Sequence, residues 1–175
     1  FKEGNMLFEI MERNVWSKAS SDTNGLKELY NSRKSTYKWA ASADVIIFSC
    51  ANEKLAKETL ESIKKGNSWK AITENAGGSV QADSGRYEMT QITDPASGIN
   101  PVNNSYSSLL KNADGTATFV KYIAVYRAGQ QRSFEEARGL VINDYQNVLE
   151  TQWLELLRKK YPVKINEVVV KQILN

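Results

Sequence analysis

The 175-residue sequence contains no histidine and only one cysteine. The absence of imidazole excludes most zinc and haem sites, and it excludes every mechanism in which a histidine acts as the general base. Cys50 has no second cysteine in the sequence, so an internal disulfide is excluded as well. A lone cysteine fits a reducing cytosol and a cysteine-poor periplasm equally well, and it leaves the compartment open.

The sequence also lacks a long apolar run and a strong excess of either charge. No run approaches the ~20 apolar residues that a membrane-spanning helix requires, so we expect no transmembrane segment in this fragment. The 23 basic and 20 acidic residues leave a net charge of +3, and the scattered basic residues predict no nucleic-acid binding. With 41% hydrophobic and 25% charged residues, the composition is typical of a folded globular protein.

The stretch from Ala40 to Gly77 has the clearest pattern. Its apolar run Ala43–Cys50 is β-branched at the centre, which predicts a strand buried on both faces. Asn52 is a good N-cap, and the apolar residues that follow recur at helical spacing up to Gly66, which can adopt the left-handed C-cap conformation. Ser68 then begins a second short helix. The pattern predicts a strand followed by two helices.

The middle of the chain predicts loops and two further strands. The segment 76–84 is rich in small and polar residues and predicts a loop, and the alternation over 85–92 predicts a strand. Asp94–Asn104 predicts a second loop, and 105–111 predicts one or two helical turns.

The segment Thr116–Tyr126 predicts the best strand in the sequence, because β-branched and aromatic residues fill it and the turn signal Asp114-Gly115 precedes it. Simple alternation places Phe119, Ile123 and Val125 on one face of this strand and Val120, Tyr122, Ala124 and Tyr126 on the other.

Helical patterns flank this middle part. Residues 4–18 predict one helix, and Leu26 begins a second that ends near Tyr37. A capping box at Ser133 opens the longest helix, which continues to Lys160 and would be ~40 Å long. Pro162 ends it, and a short extended tail follows. The inward stripe of this long helix is predicted to include Ala137, Leu140, Val141, Tyr145, Val148, Leu149, Gln152, Trp153, Leu156 and Leu157.

The order of strand, helix and second helix resembles the opening of a parvulin-type (PpiC-like) peptidyl-prolyl cis-trans isomerase domain. Trp69 stands where that family usually has phenylalanine. The resemblance implies an α+β fold with a small, mostly antiparallel sheet, in which the first strand and the 116–126 strand are central and helices cover the sheet. The matching positions are Ala56, Leu60, Ile63, Lys65, Gly66, Trp69 and Ile72.

The flanks resemble the segments on either side of the isomerase domain in SurA-like and PpiD-like bacterial envelope chaperones. Leu26, Leu29, Tyr30 and Tyr37 match the helix that precedes the domain, and residues 133–166 are similar to the closing helix, as in Bacteroidetes-type members. The resemblance implies three parts: a helical flank at 1–38, a parvulin-like domain at 39–128, and a long helix with a tail at 129–175. The flanking helices are expected to form a separate helical layer.

The resemblance implies catalytic positions that this sequence fills with other residue types. Parvulins place two histidines on central strands, with a cysteine or aspartate beside them and an apolar proline pocket. The histidine positions fall at Asp44 and near Val120–Tyr122, while the segment 75–78 has no acid or thiol. The helix that supplies the proline pocket is shortened to 105–111. The candidate catalytic residues are Asp44 and Tyr122, and the candidate peptide-binding residues are Met89, Tyr87, Tyr106, Leu109 and Phe119.

Structural alternatives stand beside these assignments. Asp44 also fits a strand-edge carboxylate that is bonded to nearby backbone, and Tyr122 and Met89 also fit ordinary core positions. Cys50 fits a small buried apolar residue better than a nucleophile, because no histidine is present to activate it.

The resemblance implies a folding factor of the bacterial cell envelope that binds unfolded exported proteins. The missing histidines predict weak or absent isomerase activity, and an active, divergent isomerase that acts on X-Pro bonds is the alternative. A purely scaffolding domain is a third hypothesis. The expected partners are unfolded or proline-containing polypeptides, above all outer-membrane proteins, with no cofactor and no metal. Because the chain begins at Phe1, we expect a fragment or processed form of a periplasmic protein, whose signal segment lies elsewhere.

Overall fold

The computed structural model describes residues 2–92 and 101–163. The chain divides into two compact units. The first unit comprises residues 1–37 and 132–175, and the second comprises residues 38–131. Both ends of the chain therefore belong to one unit, while the middle of the chain forms the other.

The first unit is helical, and the second combines a sheet with helices. None of the helices in the described ranges is long and apolar enough to cross a membrane. The helices are α1 (Lys2–Met11), α2 (Ser17–Ser21), α3 (Thr23–Ser32), α4 (Glu53–Lys64), α5 (Trp69–Asn75) and α6 (Phe134–Lys160). The strands are β1 (Ser42–Cys50), β2 (Val80–Glu88), β3 (Ser105–Tyr106), β4 (Leu110–Lys111) and β5 (Ala117–Tyr126).

The five strands form one antiparallel sheet in the order β2-β1-β5-β3, and β4 also pairs with β5. The two long strands β1 and β5 are therefore adjacent and central, which confirms the sequence prediction. The α+β class is confirmed too, and the sheet with its covering helices is consistent with the parvulin-like fold that the resemblance implies.

Local capping signals account for the helices that cover the sheet. The side chain of Asn52 accepts a hydrogen bond of 2.9 Å from the Leu55 amide and begins α4. Gly66, with a φ of +91°, follows its C-terminus. Both features confirm the prediction, and α4 lays Ala56, Leu60 and Ile63 on the sheet.

One face of the sheet packs against α4 and α5 in a core centred on two aromatic rings. Phe48 of β1 and Phe119 of β5 stack with 4.7 Å between their ring centroids, and neither is more than 1% exposed. We call this group the Phe119 core. Its buried members are Ile46, Phe48, Cys50, Ala56, Leu60, Ile63, Val80, Ala117 and Phe119.

The predicted loop over 76–84 is wrong for its second half, because β2 begins at Val80. Its nine residues pair with β1 without a break, and Val80 itself is buried. Pairing with β1 outweighs the low strand propensity of Asp83, Ser84 and Gly85. The predicted loop over 94–104 lies largely outside the described residues.

The helical turns predicted for 105–111 are also wrong, because this segment contains the two short strands β3 and β4. Ser107 holds the segment on β5. Its amide donates to the Val120 carbonyl and its hydroxyl accepts from the Val120 amide, each at 2.8 Å. Non-local bonds of this kind leave no periodic signal in the sequence.

A β-bulge corrects the predicted faces of β5. Tyr122 is paired with Val45, but Ala124 is paired with Asp44, so the bulge inserts Ile123 into β5. Beyond the bulge the alternation shifts by one residue. Val125 therefore packs on the same side as Tyr122 rather than with Phe119.

The helices of the first unit pack in a layer, as predicted. Leu26 and Tyr30 of α3 contact Ala137 and Val141 of α6 in one buried cluster. Val15, Ala19 and Leu149 form another. Two boundary details differ from the prediction, since α3 ends at Ser32 instead of near Tyr37, and a π-turn at Glu12–Trp16 separates α1 from α2. Leu140 and Leu156, which were predicted to face inward, are 47% and 64% exposed.

Replacing Gly25 with alanine is expected to destabilise the helical unit by about 1–3 kcal/mol. A Cβ atom at Gly25 would lie 2.6 Å from Asp22 Oδ2 and 2.7 Å from Tyr145 Cζ, so the Asp22–Tyr145 hydrogen bond would have to move. The matched control is Gly139→Ala in α6, where no atom lies within 4 Å of the new Cβ. In urea denaturation, the free energy of unfolding of this control should rise by about 0.5–1 kcal/mol. Equal effects of the two substitutions would contradict this packing.

The helical unit is expected to lose stability as the pH rises from about 10 to about 12. Burial and the 2.8 Å bond to Asp144 raise the pKa of Tyr37 to about 12. The 2.7 Å bond to Asp22, together with burial, raises the pKa of Tyr145 to about 12. Unfolded tyrosine ionises near pH ~10, so the stabilisation is complete below that pH and is lost as the pH rises towards the folded pKa.

Urea midpoints measured between pH 8 and pH 12 test this linkage. The double variant Tyr37→Phe/Tyr145→Phe should start from a lower midpoint and show a shallower decline above pH ~10 than the wild type. Parallel declines in the two proteins would show that these hydroxyls are not the titrating groups.

Candidate functional site

Asp44 lies in β1 on the sheet face that also carries Ile46 and Phe48. Its carboxylate accepts a hydrogen bond of 2.7 Å from the hydroxyl of Tyr126 on β5. This hydrogen bond is the main cause that raises the pKa of Tyr126. Asp44 is thus held by a side chain of the neighbouring strand.

Tyr122 lies on the other face of the sheet and is 1% exposed. Because it is paired with Val45, it points away from the face that carries Asp44. We call the apolar group around it the Tyr122 cluster. Its buried members are Ala43, Val45, Ile92, Val120 and Tyr122, and its partly buried members are Ile47, Tyr87, Met89 and Val125.

Tyr87 and Met89 form a partly exposed apolar rim of the Tyr122 cluster. The hydroxyl of Tyr87 donates a short hydrogen bond to Asp83, and this bond is the main cause that raises the pKa of Tyr87. The hydrogen bond therefore ties the Tyr87 ring to β2, where it lies over Gly85. An apolar rim with a fixed aromatic ring can bind an apolar side chain of a peptide.

The other three predicted peptide-binding residues lie on the opposite face. Phe119 is buried in the core named after it, and Tyr106 and Leu109 pack against that core while remaining partly exposed. The structure thus brings Tyr87 and Met89 together with Tyr122. It separates these three from Asp44, Tyr106, Leu109 and Phe119 by the thickness of the sheet.

Arg86 forms a polar cluster that sequence reasoning missed. Its guanidinium carbon lies 4.7 Å from the ring centroid of Trp39 and 4.1 Å from that of Tyr126. The same group donates to Ser42 Oγ at 3.1 and 3.0 Å and to Gln130 Oε1 at 2.5 Å. These contacts join β1, β2 and β5 at one end of the sheet. Nothing in the sequence signals a cluster whose members are so far apart along the chain.

The single thiol offers no reactive group. Cys50 is 1% exposed in the Phe119 core, and burial raises the pKa of its thiol. The thiolate needed for nucleophilic attack is therefore disfavoured at neutral pH. Within residues 2–92 and 101–163, no three cysteine, aspartate or glutamate side chains lie close enough together to hold a metal ion.

Helix α1 carries four exposed apolar side chains within five consecutive positions. Met6, Leu7 and Phe8 are 56%, 58% and 59% exposed, and Ile10 is 39% exposed. Phe8 makes one edge-to-face contact with Trp16 at 5.3 Å between centroids. Exposed apolar patches on a protein surface commonly mark binding sites.

No protein-family model matches the sequence, and no curated protein is significantly similar to it. Among solved structures, the chain is similar to one of the two SurA-like chaperones PEB4 and Cj1289 of Campylobacter jejuni, at 18% identity and a TM-score of 0.33. That alignment covers 94% of this chain and 71% of the chaperone.

Two foldase proteins PrsA are similar at a comparable level. The PrsA of Streptococcus pneumoniae is 16% identical with a TM-score of 0.34, over 90% of this chain and 62% of that protein. The PrsA of Lactococcus lactis is 14% identical with a TM-score of 0.31, over 94% and 63%. The chain therefore spans less than two thirds of either foldase. Identities under 25% and TM-scores under 0.5 carry no argument for a shared function.

Proposed function

We propose that this chain is a folding factor of the bacterial cell envelope that binds unfolded exported polypeptides and has little or no prolyl isomerase activity. In this proposal it is a PpiC-like parvulin domain with the flanking helices of a SurA-like chaperone of the Bacteroidetes type, located in the periplasm. Its clients are unfolded or proline-containing chains, outer-membrane proteins among them.

The exposed apolar surface of α1 is the observation that carries the proposal. Met6 and Leu7 lie more than half exposed on a helix whose residues 4–10 are all exposed. An unfolded polypeptide exposes apolar side chains that are buried in a folded protein. When such side chains are buried against α1, the binding free energy becomes more favourable by roughly 25 cal/mol per Å² of apolar surface. The partly exposed rim at Tyr87 and Met89 offers a second apolar contact in the other unit.

The positions of Asp44 and Tyr122 support the weak isomerase activity in this proposal. An isomerase stabilises the twisted X-Pro amide with groups that converge on one site. Asp44 and Tyr122 lie on opposite faces of the sheet, Asp44 is bonded to Tyr126, and Tyr122 is buried. The sequence also has no histidine to act in their place.

A holding assay tests the proposal. A β-barrel outer-membrane protein, unfolded in urea, is diluted into buffer with increasing amounts of the chain, and light scattering follows its aggregation. The proposal predicts that a few-fold molar excess of the chain suppresses the scattering, whereas equal masses of lysozyme do not. Aggregation at the same rate with and without the chain would refute the proposal.

A protease-coupled assay on a proline peptide separates the proposal from its alternative, an active divergent isomerase. The proposal predicts no more than a marginal increase over the uncatalysed rate. A strong increase that is lost on Asp44→Ala or Tyr122→Phe would establish the alternative. Those two variants, when folded, should hold the unfolded barrel protein as well as the wild type does.

A further inference from the structure

The edge strand β2 differs from the opposite edge of the sheet. It forms nine consecutive pairs with β1 and has no other strand beside it in the part of the chain that the structure describes. The opposite edge consists of β3 and β4, which are two residues long each. Very short edge strands commonly protect a sheet against pairing with other chains. With nine residues, β2 is not protected in this way.

The hydrogen bonds at the two ends of β2 fix which of its backbone groups point outwards. The Met89 amide donates to the Ala41 carbonyl at 2.8 Å, and the Ala51 amide donates to the Ser79 carbonyl at 2.9 Å. In an antiparallel ladder, residues that exchange hydrogen bonds with the neighbour alternate with residues that do not. The odd-numbered residues of β2 therefore bond to β1, and the backbone groups of Ala82, Ser84 and Arg86 point to the free edge.

In the part of the chain that the structure describes, this edge has neither a proline nor a bulge to block pairing, and its charged side chains are Asp83, Arg86 and Glu88. The strand also contains no lysine. No described residue forms a hydrogen bond with the outward backbone groups of Ala82 and Ser84, and the side chain of Ser84 is exposed. The Arg86 side chain is engaged with Ser42 and Gln130 instead of extending over the edge.

We propose that the free edge of β2 binds an extended segment of an unfolded polypeptide as an added antiparallel or parallel strand. This inference rests on the proposed function and names the binding mode of that same client. Recognition through the main chain is independent of sequence, which suits a protein that binds many clients. From Val80 to Arg86 the edge is ~20 Å long, which accommodates about seven residues of an added strand.

The position of the edge next to the Tyr122 cluster favours a client segment as the occupant. Alternate side chains of the added strand would lie beside Tyr87, whose ring is part of the apolar rim that continues to Met89. A second copy of the chain fits less well. Antiparallel pairing of two β2 strands about Ser84 would place Arg86 opposite Ala82 and Glu88 opposite Val80, so that no opposite charges are paired.

Amide hydrogen exchange of the whole chain, measured by NMR, tests the inference. The probe is an acetylated, amidated decapeptide of alternating valine and threonine. We expect the peptide to slow exchange at least 10-fold at the outward amides of Ala82, Ser84 and Arg86. The amides of Asp83 and Gly85 already bond to β1 and serve as internal controls that should change little. Unchanged exchange at the outward amides under saturating peptide would overturn the inference.

A pair of variants provides an independent readout. Ser84→Pro removes an outward N–H at a position where an edge strand tolerates proline, and Ser84→Ala is the matched control that keeps the N–H. Peptide affinity should fall at least 10-fold in Ser84→Pro and less than 2-fold in Ser84→Ala. Equal affinities would overturn the inference. If Ser84→Pro does not fold, the exchange measurement on the wild type decides.

The outcomes also separate this inference from the proposed function. A wild-type chain that suppresses aggregation of the unfolded barrel protein, but shows no peptide-dependent protection at the β2 edge, refutes the edge alone. A wild-type chain that does not suppress aggregation refutes the proposed function, and the inference falls with it. Slow exchange at the outward amides without peptide, in a chain that sediments as a dimer, would show that a second copy occupies the edge and would overturn the inference.

Discussion

Replacing Phe119 with alanine is expected to lower the free energy of unfolding by about 3–5 kcal/mol. Phe119 is 1% exposed and stacks on Phe48 across the two central strands, so the substitution leaves a cavity between β1, β5 and the covering helices. Urea denaturation followed by circular dichroism measures the effect. The loss is a large fraction of the 5–15 kcal/mol by which domains are typically stable, so the variant is expected to unfold far more readily than the wild type.

Ile123→Ala on the same strand is the control for Phe119→Ala. Ile123 is 41% exposed at the bulge, and its truncation should cost less than about 1 kcal/mol. The comparison also tests the prediction that Phe119 binds peptide. A buried Phe119 predicts that the milder variant Phe119→Leu, once shown to be folded, binds clients as tightly as the wild type. A small loss of stability in Phe119→Ala, combined with weaker client binding, would show that Phe119 binds peptide and is not a core residue.

Replacing three exposed apolar residues of α1 is expected to reduce client holding at least 10-fold. The variant is Met6→Gln/Leu7→Gln/Ile10→Gln. Glutamine keeps the helix propensity high, and the three side chains are all exposed, so stability should change by less than about 0.5 kcal/mol each. Phe8 is left in place because it contacts Trp16. The holding assay with the urea-unfolded barrel protein measures the concentration of chain that halves the scattering.

The control removes two exposed apolar side chains from another helix. Leu140 and Leu156 of α6 are 47% and 64% exposed, and Leu140→Gln/Leu156→Gln changes exposed leucines without touching α1. This control should hold clients as well as the wild type. A similar loss of aggregation suppression in both variants would mean that exposed apolar side chains in general, and not those of α1, bind the client.

The sequence predicted the parts of the fold that depend on local signals. Asn52 and Ser133 cap helices as expected, because a side-chain oxygen within three residues of the free amide is all that the cap requires. The strands β1 and β5 are long apolar runs, which made both recognisable. Their central place in the sheet was expected from the family resemblance and agrees with the structure.

The errors in the sheet concern structure that distant residues impose. Asp83, Ser84 and Gly85 have low strand propensity and are ordered by pairing with β1, and the segment 105–111 is held on β5 by Ser107. The bulge at Ile123 shifts the alternation of β5, so Val125 lies on the face opposite to the predicted one. No periodicity in a single sequence encodes a register shift.

The sequence proposed candidate site residues one by one but could not predict their arrangement. Asp44 and Tyr122 were placed by matching family positions on two strands, and such matching does not reveal which face each residue occupies. The register shows that they point to opposite sides of the sheet. The Arg86 cluster and the position of β2 at the edge of the described sheet had no sequence signal, because both exist only once β1 and β2 are paired.

Exchange spectroscopy by NMR on one sample shows whether the chain binds an unfolded polypeptide without isomerising it, since it reports binding and isomerisation together. The sample is an unfolded peptide with a single X-Pro bond and flanking apolar residues, to which the chain is added. Uncatalysed isomerisation takes tens of seconds, so cis and trans resonances show no exchange peaks without a catalyst. The account predicts that the peptide resonances shift or broaden on binding while exchange peaks stay absent. Strong cis–trans exchange peaks, or a peptide whose resonances do not respond to the chain, would contradict it.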